Sequence, residues 1–394
     1  MSAVRIYLEE NPVTANLKGV TMKKAIYPNL YKPMKIRGLR LKNRITMAPL
    51  YLGYAASGGT VSPLLLYHYK LMAQSGAAMI VVENASITTG GSGSPRTIRC
   101  DHNRYLPGLE KLAVTIKDQK SRACLQLNHA GRFAHVPDPV APSAVAAFKR
   151  TPRALLKKEM TTIAKQFANA ALRTKNAGFD LVELHGGTGY LLAQFVSPRT
   201  NTRTDNYGGP LSNRIRFPLE VLKRVQDKVG DFPIGYRFLA DEWLPDGLQI
   251  KESVVLARAL GQNGVAYIST MGGTYESFNL PEVVKKSKKP GYMVSLAGAV
   301  KKNVKVPVIA AGRISTPARA ESILKSKKAD LVGLARVLWV DPQWPQKARQ
   351  GQDRGILYCS PKCDACQQRV MQGKPAYCPR WSREKRAVYR ELFQ

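Results

Sequence analysis

The 394-residue chain is 44 % hydrophobic, enough to bury a large core without disulfides, and no apolar run reaches the ~18 residues that span a bilayer. Met1–Lys24 mixes charge and polarity and lacks the apolar centre of a secretory signal, so a cytoplasmic protein is expected. With 61 Lys and Arg against 27 Asp and Glu the net charge is +34, which draws anionic partners such as a phosphorylated substrate, an acidic protein, a membrane face or nucleic acid; the basic residues are spread out in pairs such as Lys149–Arg150 and Lys327–Lys328, with no helix-turn-helix or RNA-binding pattern, so no nucleic acid is expected.

In chain order, residues 1–26 read as an N-terminal extension, with Met22 a candidate alternative start. Short β-branched runs then recur at Arg44–Pro49, Ala78–Glu83, Ala123–Asn128, Leu181–His185, Pro233–Phe238, Ala266–Thr270, Val306–Ala310 and Asp330–Ala335. Between them lie amphipathic stretches, among them Met160–Ala177, Asn213–Val229, Ile250–Asn263 and Thr316–Ser326. Eight alternations of strand and helix predict an α/β fold, a TIM (β/α)8 barrel over residues 27–345. Residues 346–394 form a C-terminal segment holding four of the six cysteines.

The strands end on Gly, Pro or polar residues, where barrel active sites are assembled. His185 closes the fourth strand with Tyr190 just beyond. An imidazole and a phenol there can hydrogen-bond a substrate carbonyl and deliver a proton; taken alone, a histidine near a strand end is more often structural. Arg237 offers a cation at the fifth strand, where a salt bridge to Asp241 or Glu242 is the alternative. Two Gly/Ala–Arg pairs, Gly312–Arg313 and Ala335–Arg336, close the last two strands, the usual phosphate corner of a barrel. In the C-terminal segment, Cys359, Cys363, Cys366 and Cys378 put four thiols within 20 residues, a donor set that suits a 4Fe–4S cubane or a structural zinc. The C-x3-C-x2-C part also matches a radical-SAM pattern, but it lies late in the chain and has a fourth cysteine, which points to a closed site.

The run from His185-Gly-Gly-Thr188-Gly-Tyr190 to Arg203-Thr-Asp205-Asn-Tyr207-Gly208-Gly209, followed by Asn213-Arg-Ile-Arg216, resembles the long motif of the Old Yellow Enzyme (NADH:flavin oxidoreductase) family, and the likeness extends from about Leu30 to Trp344. The resemblance implies bound FMN, whose reduced form passes hydride to an activated alkene of a small unsaturated carbonyl or CoA thioester, with NAD(P)H as a candidate donor. It implies Tyr190 as the proton donor and His185 as the first carbonyl ligand; Thr188 stands where the family usually has Asn or His. Ala48, Pro49, Leu50 and Ala85 match flavin-lining positions, and Tyr51 stands where Thr or Cys is common. Gln126 matches the residue bonding the pyrimidine edge, Arg237 the cation beside N1 and O2, and Gly312, Arg313, Ala335 and Arg336 the phosphate site.

The cysteine spacing resembles that of the 2,4-dienoyl-CoA reductase branch, with one cysteine shifted by a residue; this implies a 4Fe–4S cluster on Cys359, Cys363, Cys366 and Cys378. That branch carries a further flavin and nicotinamide domain, whereas this sequence ends sixteen residues past Cys378. A small acidic carrier, ferredoxin or flavodoxin, is therefore an expected electron donor, steered by the basic residues Lys362, Arg369, Lys374, Arg380, Arg383, Lys385 and Arg386. A homo-oligomer is expected. The alternatives are an amine dehydrogenase of the trimethylamine dehydrogenase type and, in another class, a basic binding protein on an inactive, zinc-stapled barrel.

Overall fold

The computed structural model describes residues 26–393; apart from Ile26, the expected N-terminal extension, Met22 included, lies outside them. Eight parallel strands alternate with helices: β1 (Ile45–Met47), β2 (Met79–Ser86), β3 (Arg122–Asn128), β4 (Leu181–Gly186), β5 (Ile234–Asp241), β6 (Tyr267–Gly272), β7 (Val308–Ala310) and β8 (Leu331–Leu334). β1 pairs with β8 through Val332↔Ile45 and with β2 through Thr46↔Met79, so the sheet closes on itself as a TIM barrel.

Local chemistry starts the helices as well as ending the strands. Ser62 caps α1 (Pro63–Gln74) and Thr316 caps the helix Pro317–Lys325, each accepting the backbone N–H three residues on, with proline in the first turn where no donor is needed. Proline also explains the departures from expectation. β1 stops at Met47 because Pro49 has no N–H to continue the ladder, and β7 begins at Val308, after Pro307. The helix expected over Asn213–Val229 divides into Leu211–Arg214 and Arg216–Val229, because Pro218 cannot donate to the carbonyl of Arg214. β2 and β5 run further than expected, to Ser86 and Asp241, each through a register shift after which pairing resumes, past Glu83 and Asn84 in β2 and past Ala240 in β5.

At the N-terminal end of the barrel a hairpin, Met34–Ile36 with Leu39–Leu41, packs Ile36 and Leu41 onto Met79, Val81, Leu181 and Leu331. That apolar plug leaves the opposite end, where the strands finish, free for polar side chains. The C-terminal segment binds back onto the barrel: Ala376 donates to the Leu52 carbonyl at 2.9 Å, the Tyr54 hydroxyl donates to the Ala376 carbonyl at 2.6 Å, and Trp381 packs between Trp339 and Tyr389. Among the described residues no helix is long and apolar enough to cross a membrane.

Candidate active site

β4 presents Glu183 and His185 on one face, since side chains two apart in a strand point the same way. Both are buried, and they form two layers inside the barrel. His185 Nδ1 accepts the Gly187 N–H at 3.1 Å. That bond fixes the neutral tautomer with the proton on Nε2, aimed to donate. Burial, aided by Arg237, holds the imidazole well below its usual 6.5, so it stays neutral at physiological pH.

Tyr190 stands edge-on to His185, ring centres 4.9 Å apart. Its hydroxyl lies 2.6 Å from that of Tyr275, a residue of the loop after β6. Tyr190 is 7 % exposed and Tyr275 38 %, so the pair runs from the interior to solvent. Burial and the neighbouring Tyr275 push the Tyr190 phenol well above 10, which keeps its proton on. Beside the pair a cavity of about 230 Å³ is walled by Phe133, Phe148, Arg132, Arg150 and the two tyrosines.

Thr188 sits at φ +59°, in the left-handed region. Asn adopts that conformation readily, whereas a β-branched residue is strained there. Its hydroxyl donates to the Met271 sulfur at 3.4 Å, a weak acceptor.

The residues matched to flavin contacts gather at one end of the barrel. Ala48 is held by its N–H to the Leu334 carbonyl at 2.9 Å, with Pro49 and Leu50 half-buried beyond it. The Tyr51 hydroxyl lies 2.6 Å from Ser94 Oγ, and burial lifts the phenol to about 12. Ala85, fully buried, pairs with Leu127 and Ile98 at the irregular stretch of β2. Gln126 Nε2 donates to Glu183 at 2.7 Å. Arg237 is half-buried and donates to Ser269 Oγ at 2.8 Å, with Glu183 the nearby counter-charge. The salt bridge to Asp241 or Glu242 weighed as an alternative does not form: Asp241 Oδ1 accepts the Trp243 N–H, and Glu242 is taken by Ser197 and Leu248.

At the phosphate corner Gly312 has φ +100°, and a β-carbon there would come within 2.8 Å of Met293. Arg313, also left-handed at φ +51°, donates to the Ser287 carbonyl at 2.8 Å. Its pKa is lowered by burial and by Arg336, which opens the helix Arg336–Val340 directly after Ala335. Tyr292 lies within electrostatic reach of Arg336, Arg313 and Arg237, all three of which pull its burial-raised pKa back down. Three guanidiniums around one phenol fit a phosphate and an electron-rich ring edge.

Cys359, Cys363 and Cys366 are half-buried free thiols and Cys378 is buried. Burial raises the pKa of Cys378, and Cys359, Cys363 and Cys366 add to that rise, so the four thiols lie within electrostatic reach of one another. Arg336 acts on Cys366 in the opposite sense, and Cys359 on Arg313, which sets the cysteine segment beside the phosphate corner. Among the described residues no three metal-ligating side chains converge on a single ion. Lys385 departs from expectation: it is 6 % exposed and lies 4.4 Å from the Trp381 ring centre, so it is a packed interior cation and not part of a steering surface. Arg369 likewise packs on Tyr377 at 4.3 Å, and Arg380 donates to the Tyr358 carbonyl at 2.6 Å.

Tyr275, Tyr292 and Glu183 escaped the sequence reading. The one signal for Glu183 was a carboxylate in the middle of an apolar strand.

Residues 29–354 match the family model of the NADH:flavin oxidoreductase / NADH oxidase family. The chain belongs to that family. It is 38 % identical over 343 residues to an NADH oxidase from Thermoanaerobacter brockii, covering 84 % of this chain and 52 % of that protein. It is 34 % identical over 323 residues to an NADPH dehydrogenase from Halalkalibacterium halodurans, covering 81 % of this chain and 93 % of the relative. Among solved structures, a 2-naphthoyl-CoA reductase in complex with 2-naphthoyl-CoA superposes with a TM-score of 0.87 at 28 % identity, covering 92 % of this chain and 58 % of that one. The chain thus spans about half the length of the NADH oxidase and matches the NADPH dehydrogenase nearly end to end. It is an FMN-dependent oxidoreductase, and the strand-end residues described above fit that cofactor.

Proposed function

We propose that the chain is an ene-reductase acting on a C=C conjugated to a carbonyl or thioester. The observation that carries this reading is the His185–Tyr190–Tyr275 array: a neutral Nε2 donor, a buried phenol edge-on to it, and a second phenol 2.6 Å further on that reaches solvent.

Bound FMN supplies the hydride. His185 Nε2–H holds the substrate oxygen and stabilises the negative charge that develops there. Tyr190 gives its proton to the α-carbon, so the C=C π-bond is replaced by two C–H bonds. Tyr275 returns a proton to the Tyr190 oxygen and is itself reprotonated by water. Thr188 contributes little to the oxygen ligand set while it is turned to Met271. The aromatic walls Phe133 and Phe148 suit a flat conjugated acyl group, and Arg150 suits the phosphates of a CoA thioester such as the one bound by 2-naphthoyl-CoA reductase.

Cys359, Cys363, Cys366 and Cys378 would hold a 4Fe–4S cluster, since four soft anionic donors within 20 residues are the donor set such a cluster takes, with a structural zinc as the alternative. The cluster would pass electrons between an acidic carrier and the flavin, with NAD(P)H as the direct donor otherwise. The site is proposed to work in the cytoplasm, in a homo-oligomer, with residues 346–394 as the cluster-binding segment.

The test is turnover of enones and aromatic acyl-CoA thioesters against tertiary amines by anaerobically prepared enzyme. Alkene reduction is expected. Oxidation of amines without alkene reduction would instead establish the amine dehydrogenase alternative.

A further inference from the structure

One layer below His185, four strands meet on a single carboxylate. Glu183 of β4 is level with Gln126 of β3 and Gly235 of β5, and Gly235 in turn is level with Tyr267 of β6. Glu183 Oε1 accepts from Gln126 Nε2 at 2.7 Å and Oε2 from the Tyr267 hydroxyl at 2.8 Å. Tyr267 reaches it because position 235 has no side chain: a β-carbon there would lie 2.2 Å from the tyrosine ring. Cys124 Sγ stands 3.6 Å from the Tyr267 oxygen, so donors run Cys124 to Tyr267 to Glu183 and end on an acceptor. Burial raises the Glu183 pKa above the ordinary carboxylate value, and the Arg237 charge together with the Tyr267 and Gln126 donors opposes that rise. A carboxyl group that receives two donors beside a guanidinium is suited to the ionised, acceptor-only state.

We infer that Glu183 is a positioning residue for the flavin site: it fixes which face Gln126 presents, and its buried negative charge holds the flavin reduction potential down. The first effect is geometric. An ionised carboxylate only accepts, so the Gln126 amide must turn Nε2 toward it, which leaves Oε1 to accept from the flavin pyrimidine edge. The second is electrostatic. Arg237 favours the extra electron density of reduced flavin, and Glu183 offsets part of that field in a low-dielectric interior. A lower potential makes the reduced enzyme a stronger donor, as a poorly activated acceptor requires. The inference rests on the flavin site and is independent of the identity of the substrate.

The experiment measures FMN affinity by fluorescence quenching and FMN midpoint potential by dye equilibration, on full-length enzyme. Glu183→Gln keeps an acceptor for Gln126 and removes the charge. Its FMN affinity should change by less than about threefold, while the affinity ratio of reduced to oxidised flavin should rise about tenfold, equivalent to about +30 mV for a two-electron couple. Glu183→Leu, which abolishes both roles, should bind oxidised FMN at least tenfold more weakly. A potential in Glu183→Gln equal to that of the wild type, or shifted downward, would overturn the inference. Should Glu183→Gln fail to fold, Glu183→Asp against Glu183→Asn makes the same charge comparison in a shorter side chain, and equal potentials in that pair would overturn it too. A wild-type enzyme that binds no FMN would instead count against the flavin site itself.

Discussion

The flavin cradle and the cysteine segment lie side by side, linked by Arg336 and Arg313, yet they are built in opposite ways. Gln126, Glu183 and Arg237 sit on strands paired on both sides, and each has a partner from a neighbouring strand. Cys359 and Cys363 lie on irregular chain, Cys366 on a seven-residue helix and Cys378 beyond it. The cradle is organised by the fold; the thiol geometry depends on whatever the thiols bind, since metal binding and local folding are coupled in such segments. The lesson is that loss of the bound group should have local consequences on one side of the arginine pair and almost none on the other.

The largest effect should come from Cys378→Ser, at the buried cysteine of the set. Iron and sulfide should fall to near zero by chemical analysis while FMN content stays within about twofold of wild type, as expected for a thiolate-held cluster. FMN lost in step with iron would erase the distinction between the two regions.

Next comes Tyr190→Phe, which tests the cradle side alone. Alkene reduction should slow by about 10²-fold or more, while reduction of the flavin by NADH or dithionite is nearly unchanged. Tyr275→Phe should give a smaller loss, because Tyr190 keeps its own proton and only its resupply is impaired. Rapid-mixing of the two half-reactions separates these outcomes.

Arg336→Ala probes the join. Loss of charge-assisted contacts to phosphate should weaken FMN by roughly ten- to hundredfold, corresponding to about 1.5–3 kcal/mol. Riboflavin, which lacks the phosphate, should be indifferent to the substitution.

A quieter effect concerns stability. Glu83, buried at the middle of β2, has its carboxyl pushed up to about 8 by burial, with the Leu52 backbone N–H opposing. Because the folded value lies above the ordinary 4.5, the neutral group is fully accommodated below pH 4.5, and that advantage is lost progressively as the pH rises through about 8. Glu83→Gln should therefore gain thermal stability relative to wild type as pH climbs from 4.5 to 8. A melting-temperature gap that stays constant across that range would refute the assignment.

The smallest effect is electrostatic steering toward the cysteine segment. Lys362 is exposed, and Arg383 opens the helix Arg383–Glu391. Reversing both to Glu should slow reduction by an acidic carrier a few-fold at low salt, and the difference should fade at physiological ionic strength, where the Debye length is about 8 Å. Dithionite-driven turnover should not change.

Much of the barrel was legible because each strand is a short apolar run bounded by residues that cannot extend it, and the active-site motif is continuous from His185 to Tyr190. What the sequence hid depends on distance along the chain. Tyr275 meets Tyr190 across 85 positions, and Glu183 meets Gln126 and Tyr267 across 57 and 84, so no local pattern joins them. Lys385 is hidden for a related reason: in a helix rich in Lys and Arg it looks solvent-facing, and only the packing of Trp381 shows otherwise. The cysteines were legible by spacing, but spacing does not encode the identity of what they hold.

The bare α-carbon at position 235 has a consequence for how this barrel can diverge. Any side chain there collides with the ring of Tyr267, so position 235 can gain a side chain only if position 267 shrinks. A shrunken 267 withdraws one of the two donors from Glu183. Three positions on three strands are thereby tied into one heritable unit: in a collection of related sequences, a residue other than Gly at the position of 235 should be accompanied by loss of the tyrosine and by a changed residue at the position of 183.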